Sequence, residues 1–154
     1  MEKHPEIQFL PKEEIKKYQE GRLKDALEYV WNKSPYYRNL YTQKGIDINR
    51  IRTLEDLRQL PVTTKSDLQL HGNEFRCVAP EDIIDYATTS GTLGDPVTFT
   101  ETEEDLCHLA YNERLSFQTA GCTKNDILQE MVTIDRRFMA GLAYFLGARE
   151  LGMG

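Results

Sequence analysis

The sequence has few cysteines, no long apolar run and no excess of basic residues. Its three cysteines, Cys77, Cys107 and Cys122, are far apart, which excludes a disulfide framework and a paired C-x-x-C metal site. No stretch approaches the roughly 18 apolar residues of a membrane span, and the first six residues, MEKHPE, lack the apolar core of a signal peptide. Asp and Glu number 25 against 19 Lys and Arg, whereas nucleic-acid binders carry a basic face. We therefore expect a cytoplasmic protein with no membrane or nucleic-acid partner.

Residues 1–72 are predicted to form a helical N-terminal arm. Apolar residues recur at helical spacing at Leu23, Ala26, Leu27, Val30 and Trp31. We expect Gly21 to weaken or divide this helix and Ser34-Pro35 to end it. A short aromatic helix with Tyr36, Tyr37 and Tyr41 should follow and end at Gly45. Capping boxes that begin at Thr53 and Thr64 predict two more short helices.

Residues 73–154 change to a pattern of strands and long helices. Residues 83–87, 97–100 and 127–132 are rich in β-formers and predict strands. Thr102 should cap a helix that ends near Gly121, and 138–151 should form another. Strands alternating with long helices indicate the α/β class. Since sheets usually have about 4–6 strands, we also expect the chain to be part of a longer one.

The segment TTSGTLGDP, residues 88–96, lies between two predicted strands and suits phosphate. Gly91 and Gly94 allow sharp turns and a close approach of backbone N–H groups to an anion. The threonine and serine hydroxyls add further donors. The segment is neither a Walker A loop nor a G-x-G-x-x-G fingerprint. A plain hairpin turn is the alternative, because glycine and hydroxyl residues also serve turns themselves.

Three collinear segments carry a family resemblance. Residues 89–96, TSGTLGDP, resemble the phosphate loop of the adenylate-forming superfamily, [ST]-S-G-T-T-G-x-P. SPYYR at 34–38 and LPVTTKSDL at 60–68 are similar to one branch, the phenylacetate–coenzyme A ligases and related coenzyme F390 synthetase-like proteins. The resemblance runs from about residue 18 to residue 152 and implies the N-terminal part of the large adenylate-forming domain, with 1–72 as the arm and 73–154 as the first α/β portion.

The resemblance also implies an activity. An AMP-forming acid–coenzyme A ligase joins ATP and an aryl carboxylic acid such as phenylacetate into an acyl-adenylate, and coenzyme A then displaces AMP. The β- and γ-phosphates would be held by Thr89, Ser90, Gly91, Thr92 and Gly94, with Mg²⁺ bridging them. The resemblance also implies that the adenine-binding segment, the ribose-binding aspartate and the C-terminal lysine of adenylation lie beyond residue 154, so we expect the 154 residues alone to be inactive and assign no catalytic residue. A homodimer is left open.

Two departures from the family pattern keep other functions open. Leu93 replaces the second threonine, and Asp95 stands where a lysine is common beside the motif proline. Neither change alters the backbone of the loop. However, Leu93 removes one hydroxyl donor, and Asp95 adds a negative charge near a triphosphate. The alternatives are a non-catalytic nucleotide-binding relative and an adenylation module that loads a carrier protein.

Arg136, Arg137 and Phe138 are candidates for substrate binding. They follow a predicted strand and precede a predicted helix, where α/β folds place ligands. In the resembled branch this position lines the acyl pocket, and an arginine could pair with a carboxylate or phosphate. A solvated basic pair followed by a core phenylalanine is the alternative.

Overall fold

A computed structural model of the chain describes residues 7–89, 96–134 and 137–154. The chain divides into two compact units, Met1–Val78 and Ala79–Gly154. None of the described helices combines the length and the apolar composition needed to cross a membrane.

The first unit consists of helices. The α-helices are α1 (Lys12–Lys33), α2 (Pro35–Lys44) and α3 (Lys65–His71). Short 3-10 helices lie at Ile7–Phe9, Ile48–Arg50, Leu54–Gln59 and Gly72–Phe75. A core of three buried residues, Leu27, Tyr41 and Ile51, joins α1, α2 and the segment after them. The predicted apolar face of the first helix is thus the face that packs.

Ser34 makes the turn between α1 and α2. It is fully buried, with 0% of its surface exposed, and its hydroxyl oxygen accepts a hydrogen bond from the Tyr37 N–H at 3.3 Å. The same hydroxyl donates to the carbonyl oxygen of Glu74 at 3.0 Å. Pro35 fills the first position of α2, where no N–H is needed. The predicted break at Ser34-Pro35 is therefore confirmed, and Ser34 also ties the turn to a later segment.

The ends of these helices follow the predicted signals. Gly45 ends α2 in a left-handed conformation, φ 66°, which glycine adopts without strain. Thr53 and Thr64 each accept from the backbone N–H three residues on, while Asp56 and Asp67 bond back to them. Both capping boxes are thus confirmed, although the one at Thr53 begins a 3-10 helix.

The aromatic residues of α2 pack inside the first unit. Tyr36 stacks on Phe75 with ring centres 3.9 Å apart. Tyr37 meets the same ring edge-on at 5.5 Å and lies 5.6 Å from Tyr41. Offset and edge-on contacts of this kind are favourable arrangements for aromatic pairs. This cluster stabilises the unit, and its rings pack on one another.

The first helix is not divided at Gly21, whereas the predicted weakening by Gly21 stays a prediction. α1 runs without interruption from Lys12 to Lys33, because packing of its apolar face outweighs the low propensity of one glycine.

Replacing Gly21 by alanine should stabilise the chain. Gly21 is exposed, and a Cβ added there would meet no atom within 4 Å. We expect Gly21→Ala to raise the free energy of unfolding by about 1 kcal/mol, because alanine loses less backbone entropy in a helix. Denaturant unfolding followed by circular dichroism measures the change, and a decrease would show that α1 is strained at this position.

The second unit has a hairpin and two long helices. After a 3-10 turn at Pro80–Asp82 come strands β1 (Asp85–Thr88) and β2 (Thr98–Glu101), then helices α4 (Glu103–Thr119) and α5 (Met139–Leu151). The strands are antiparallel, with Asp85 opposite Glu101 and Thr88 opposite Thr98. Thr102 caps α4 with a capping box to Asp105, as predicted.

The first two strands lie one or two residues later than predicted, and the third is not formed. Residues 127–132 have no regular secondary structure, so the prediction of a strand there is wrong for this structure. A strand needs hydrogen bonds to a neighbouring chain segment, and the described residues supply little of one. The predicted helix at 138–151 is confirmed as α5.

α4 and α5 pack closely through small residues on α5. The buried residues of α5 are Gly141, Ala143, Gly147 and Ala148. A Cβ on Gly147 would overlap the Cβ of Glu113 and lie 3.0 Å from the Glu113 carbonyl carbon. Close approach therefore requires glycine at this crossing.

Candidate functional site

Hydrogen bonds join the two ends of the TSGTLGDP segment. They extend the pairing of β1 with β2 to Thr89 and Val97, and we call these paired residues the stem of the hairpin. The Thr89 N–H donates to the Val97 carbonyl oxygen at 3.0 Å, and the Val97 N–H donates to the Thr89 side-chain oxygen at 3.0 Å. One step below, the hydroxyls of Thr88 and Thr98 lie 3.3 Å apart. Thr89 thus uses both its backbone and its side chain to join the two ends of the segment.

Four predicted site residues, Ser90, Gly91, Thr92 and Gly94, lie outside the described residues. Their role in holding phosphates stays a prediction. Thr89 is described, but its hydroxyl oxygen accepts from Val97. Its first task is therefore to hold the stem, and its hydroxyl proton remains available as a donor.

Removing the Thr89 hydroxyl should destabilise the hairpin. In Thr89→Val the Val97 N–H loses its acceptor next to a buried side chain. We expect the free energy of unfolding to fall by about 1 kcal/mol. Thr89→Ser keeps the oxygen and is the matched control. Equal stability of the two variants in denaturant unfolding would contradict the assigned hydrogen bond.

Arg137 attaches the start of α5 to the same stem. Its carbonyl oxygen accepts the Thr88 N–H at 2.9 Å, and its backbone is left-handed, φ 62°. Its guanidinium carbon lies 5.4 Å from the centre of the Tyr86 ring, within cation–π range. Arg136 lies outside the described residues. The sequence predicts that Arg137 binds a substrate. In the structure its observed backbone contact is the hydrogen bond from Thr88 in the stem.

A cavity of about 360 Å³ opens beside the stem. Its lining comes from β1, α4 and the start of α5: Thr88, Thr89, Leu109, Glu113, Phe138, Met139, Ala140, Ala143 and Tyr144. The structure therefore brings two predicted site residues, Thr89 and Phe138, to one cavity, whereas Arg137 is not among its lining residues. Phe138 is a wall residue rather than a core residue.

Sequence reasoning missed the contribution of α4. Leu109 and Glu113 lie four residues apart, so they share one helix face. That spacing was visible in the sequence, but only the close packing of α5 on α4 shows which face borders the cavity. The lining combines the hydroxyls of Thr88 and Thr89, the carboxyl group of Glu113 and apolar side chains, and a mostly apolar lining with a few polar groups is typical of small-molecule sites.

In the described ranges, no group of three or more His, Cys, Asp or Glu side chains could hold a metal ion. Mg²⁺ keeps several waters and binds through one or two carboxylates plus substrate phosphates. The predicted Mg²⁺ stays a prediction.

The end of the hairpin away from the loop is acidic. Burial of Glu101 raises the pKa of its carboxyl group, and the nearby carboxylates of Asp85 and Asp105 raise it further. One carboxylate oxygen of Glu101 is buried without a hydrogen-bond partner among the described residues. Ionised Glu101 therefore costs stability here.

Glu101 should make stability depend on pH. Because the folded pKa is raised above the ordinary value of 4.5, the folded chain binds the proton more tightly than the unfolded chain does. Stability from this group is present below that value and is lost as pH rises through the raised pKa. We expect Glu101→Gln to raise the thermal midpoint at pH 7 more than at pH 4. Glu81→Gln, the same substitution at an exposed residue, is the control. An equal shift of the thermal midpoint at both pH values in Glu101→Gln would contradict the raised pKa of Glu101.

Comparisons with known proteins find relatives that share one name, phenylacetate-coenzyme A ligase. No protein-family model matches the chain. A phenylacetate-coenzyme A ligase of Thermus thermophilus is 35% identical over 150 residues, covering 97% of this chain and 34% of the relative. One of Escherichia coli is 30% identical over 141 residues, covering 91% of this chain and 32% of the relative. The chain thus spans about a third of the length of the curated relatives it matches.

Solved structures give the fold. A 2-hydroxyisobutyryl-CoA ligase, in an open conformation with 2-HIB-AMP and CoA, aligns with a TM-score of 0.87 and 24% identity, covering 97% of this chain and 35% of that one. The same ligase in its thioesterification state aligns with a TM-score of 0.81. This likeness confirms the fold class predicted from the sequence, with a mostly helical chain and a small antiparallel sheet.

Proposed function

Because the chain corresponds in sequence and fold to the N-terminal portion of phenylacetate–coenzyme A ligases, we propose that it works in an ATP-dependent, AMP-forming acid–coenzyme A ligase that activates an aryl acid such as phenylacetate. ATP and the acid would form an acyl-adenylate and pyrophosphate. Coenzyme A would then displace AMP and form the thioester. One observation carries the proposal: the TSGTLGDP segment begins where β1 ends, beside a cavity for a small molecule.

ATP and coenzyme A are supported by the ligands of the structural neighbours. The 2-hydroxyisobutyryl-CoA ligase is bound to 2-HIB-AMP and to CoA. An acid joined to AMP is the product of the first step proposed here, and coenzyme A is the reactant of the second. The shared fold makes the same two co-substrates the first choice for this chain.

The loop would position phosphates rather than react with them. Backbone N–H groups at Gly91 and Gly94, with the hydroxyls of Thr89, Ser90 and Thr92, would bind the β- and γ-phosphates. Such donors favour the charge that develops as pyrophosphate leaves. Mg²⁺ would neutralise part of this charge. The hydrogen bonds of Thr89 to Val97 support the idea of a loop held at a fixed base.

The cavity supports an acid with an apolar body. Leu109, Phe138, Met139 and Tyr144 line it, and such side chains fit an aromatic ring or a branched aliphatic group. The threonine hydroxyls on the stem side would leave the carboxyl end of the acid near the phosphate loop.

The composition of the chain supports action in the cytoplasm, without a membrane or nucleic-acid partner.

A chimera tests the proposal. Residues 1–154 would replace the matching N-terminal third of the Thermus thermophilus relative, which then supplies the remaining two thirds. ATP–pyrophosphate exchange is measured with a panel of aryl and aliphatic acids, and thioester formation after addition of coenzyme A. We expect exchange that depends on an aryl acid, followed by thioester formation. The relative itself is the positive control, and the 154-residue chain alone is expected to be inactive.

Other outcomes separate the alternatives. A folded chimera that binds ATP but shows no exchange with any acid would make the chain a non-catalytic nucleotide binder, as Leu93 and Asp95 allow. Exchange without thioester formation until a carrier protein is added would make it a carrier-loading module. Either result would overturn the ligase proposal.

A further inference from the structure

Glu113 is the one charged residue among the described residues that line the cavity beside the stem. The other lining residues carry hydroxyl or apolar side chains. Glu113 is half-buried in the middle of α4, whereas acidic residues in the first turn of that helix, such as Glu103, suit the helix dipole. In a mostly apolar cavity, a single polar group of this kind is the group that gives specificity for a ligand.

The Glu113 carboxylate has no hydrogen bond or ion pair to another described residue. None of the described residues that line the cavity is cationic. The neighbouring Arg114 lies 4.0 Å from the carboxylate of Glu150 and packs over the ring of Tyr111. An ionised carboxylate has two acceptor oxygens, and leaving them unsatisfied beside apolar side chains costs free energy. The Glu113 oxygens are therefore available to accept hydrogen bonds from a ligand.

The crossing of α4 and α5 fixes the point from which the Glu113 side chain extends. A Cβ added to Gly147 would overlap the Cβ of Glu113, so the two helices are in close contact there. One turn earlier on α5, Ala143 is buried and borders the cavity with a small side chain. An acceptor held on a rigid element loses little conformational entropy when a ligand binds.

The polar groups of the lining differ in charge. The hydroxyls of Thr88 and Thr89 are neutral and belong to the stem, whereas ionised Glu113 is negative. Because like charges repel, the carboxylate of a bound acid should lie at the threonines rather than at Glu113. The apolar body of the acid then lies against Leu109 and Phe138, which share the cavity with Glu113.

We propose that Glu113 is a specificity-determining residue, which accepts a hydrogen bond from an N–H or O–H group on the apolar body of the bound acid. The substrate class is then a hydroxyl- or amino-substituted aryl acid rather than an unsubstituted one. This inference rests on the proposed function, because it takes the cavity as the place where the acid binds.

The size of the preference follows from the cost of an unpaired carboxylate. An acid without the donor displaces water from Glu113 and offers no hydrogen bond in return. Sites built to hydrogen-bond a substrate group reject analogues that lack this group, and hydrogen bonds to charged groups are stronger than neutral ones. Since Glu113 is half-buried rather than enclosed, we expect a preference of about 10- to 100-fold.

The chimera with the Thermus thermophilus relative supplies the test. ATP–pyrophosphate exchange is measured with phenylacetates that carry a hydroxyl, amino or methyl group at the meta or para position of the ring. A methyl group is close in size to a hydroxyl group but donates no hydrogen bond, so the hydroxyl-to-methyl ratio of kcat/KM isolates the donor. We expect this ratio to be about 10 to 100 at the ring position that reaches Glu113.

Glu113→Met removes the acceptor while keeping the length of the side chain and a strong helix former. We expect the hydroxyl-to-methyl ratio to fall by about tenfold or more. Glu103→Met removes a carboxylate from the exposed first turn of the same helix and should leave the ratio unchanged. Because both acids are measured in each variant, a general loss of folding or activity cancels from the ratio.

A ratio near unity in the chimera, or a ratio that Glu113→Met leaves unchanged, would overturn the inference, while acid-dependent exchange would still uphold the proposed function. If a folded chimera shows no exchange with any acid, the proposed function fails and NMR titration of the 154-residue chain decides the inference. Hydroxyl-substituted acids should then bind about tenfold more tightly than methyl-substituted ones and lose this advantage in Glu113→Met. Equal affinities for the two acids would overturn the inference in that case too.

Discussion

Gly147→Ala should lower the free energy of unfolding by about 2 kcal/mol. The new methyl group would overlap the Cβ of Glu113 and lie 3.1 Å from the backbone nitrogen of Arg114. Neither atom can move without shifting α4, and overpacking of this kind costs about 1–3 kcal/mol or more. The gain in helix propensity of about 1 kcal/mol offsets only part of it. The helices should separate slightly, which also widens the cavity between them.

Gly21→Ala is the matched control for this prediction. Both glycines lie inside long helices, but only Gly147 faces another backbone, whereas Gly21 has open space around it. The same substitution should therefore stabilise one site and destabilise the other, as measured by denaturant unfolding under one set of conditions. If both variants gain stability, the close crossing of α4 and α5 is wrong.

Local signals in the sequence were sufficient for the helices and their ends. In capping their helices, Ser34, Gly45 and Thr102 act through residues within four positions along the chain, so these patterns can be read without knowledge of the fold. The 127–132 segment has an equally clear pattern, yet it forms no strand. Strands depend on partners distant in sequence, and a propensity alone cannot supply one.

In the candidate site too, local sequence patterns could be predicted, whereas contacts between distant residues could not. The phosphate-loop resemblance lies in consecutive residues, so the sequence located it between two strands. The cavity depends on where α4 meets α5, which is decided by small side chains such as Gly147. Leu109 and Glu113 could not be assigned to it from the sequence, because several faces of α4 carry apolar residues. Tertiary packing selects the face that the ligand would meet.

Gly91→Val should lower ATP–pyrophosphate exchange in the chimera by at least about 100-fold, the effect of losing a well-placed donor to a developing charge. By resemblance, Gly91 lies at the centre of the phosphate loop, where backbone N–H groups must come close to anionic oxygens. A β-branched side chain restricts the backbone and occupies the space that a phosphate oxygen would take. Hydrogen bonds between Thr89 and Val97 join the two ends of this segment.

Gly72→Val is the control for this experiment. Gly72 has φ −43° and ψ −43°, and a Cβ there would meet no atom within 4 Å, so valine should be accepted with exchange unchanged. Circular dichroism and thermal unfolding establish that both variants are folded, and calorimetric titration measures their ATP affinity. Loss of exchange in Gly91→Val together with loss of ATP affinity would mean that the loop binds the triphosphate. Unchanged ATP affinity and exchange in a folded Gly91→Val protein would mean that residues 89–96 form a hairpin turn only.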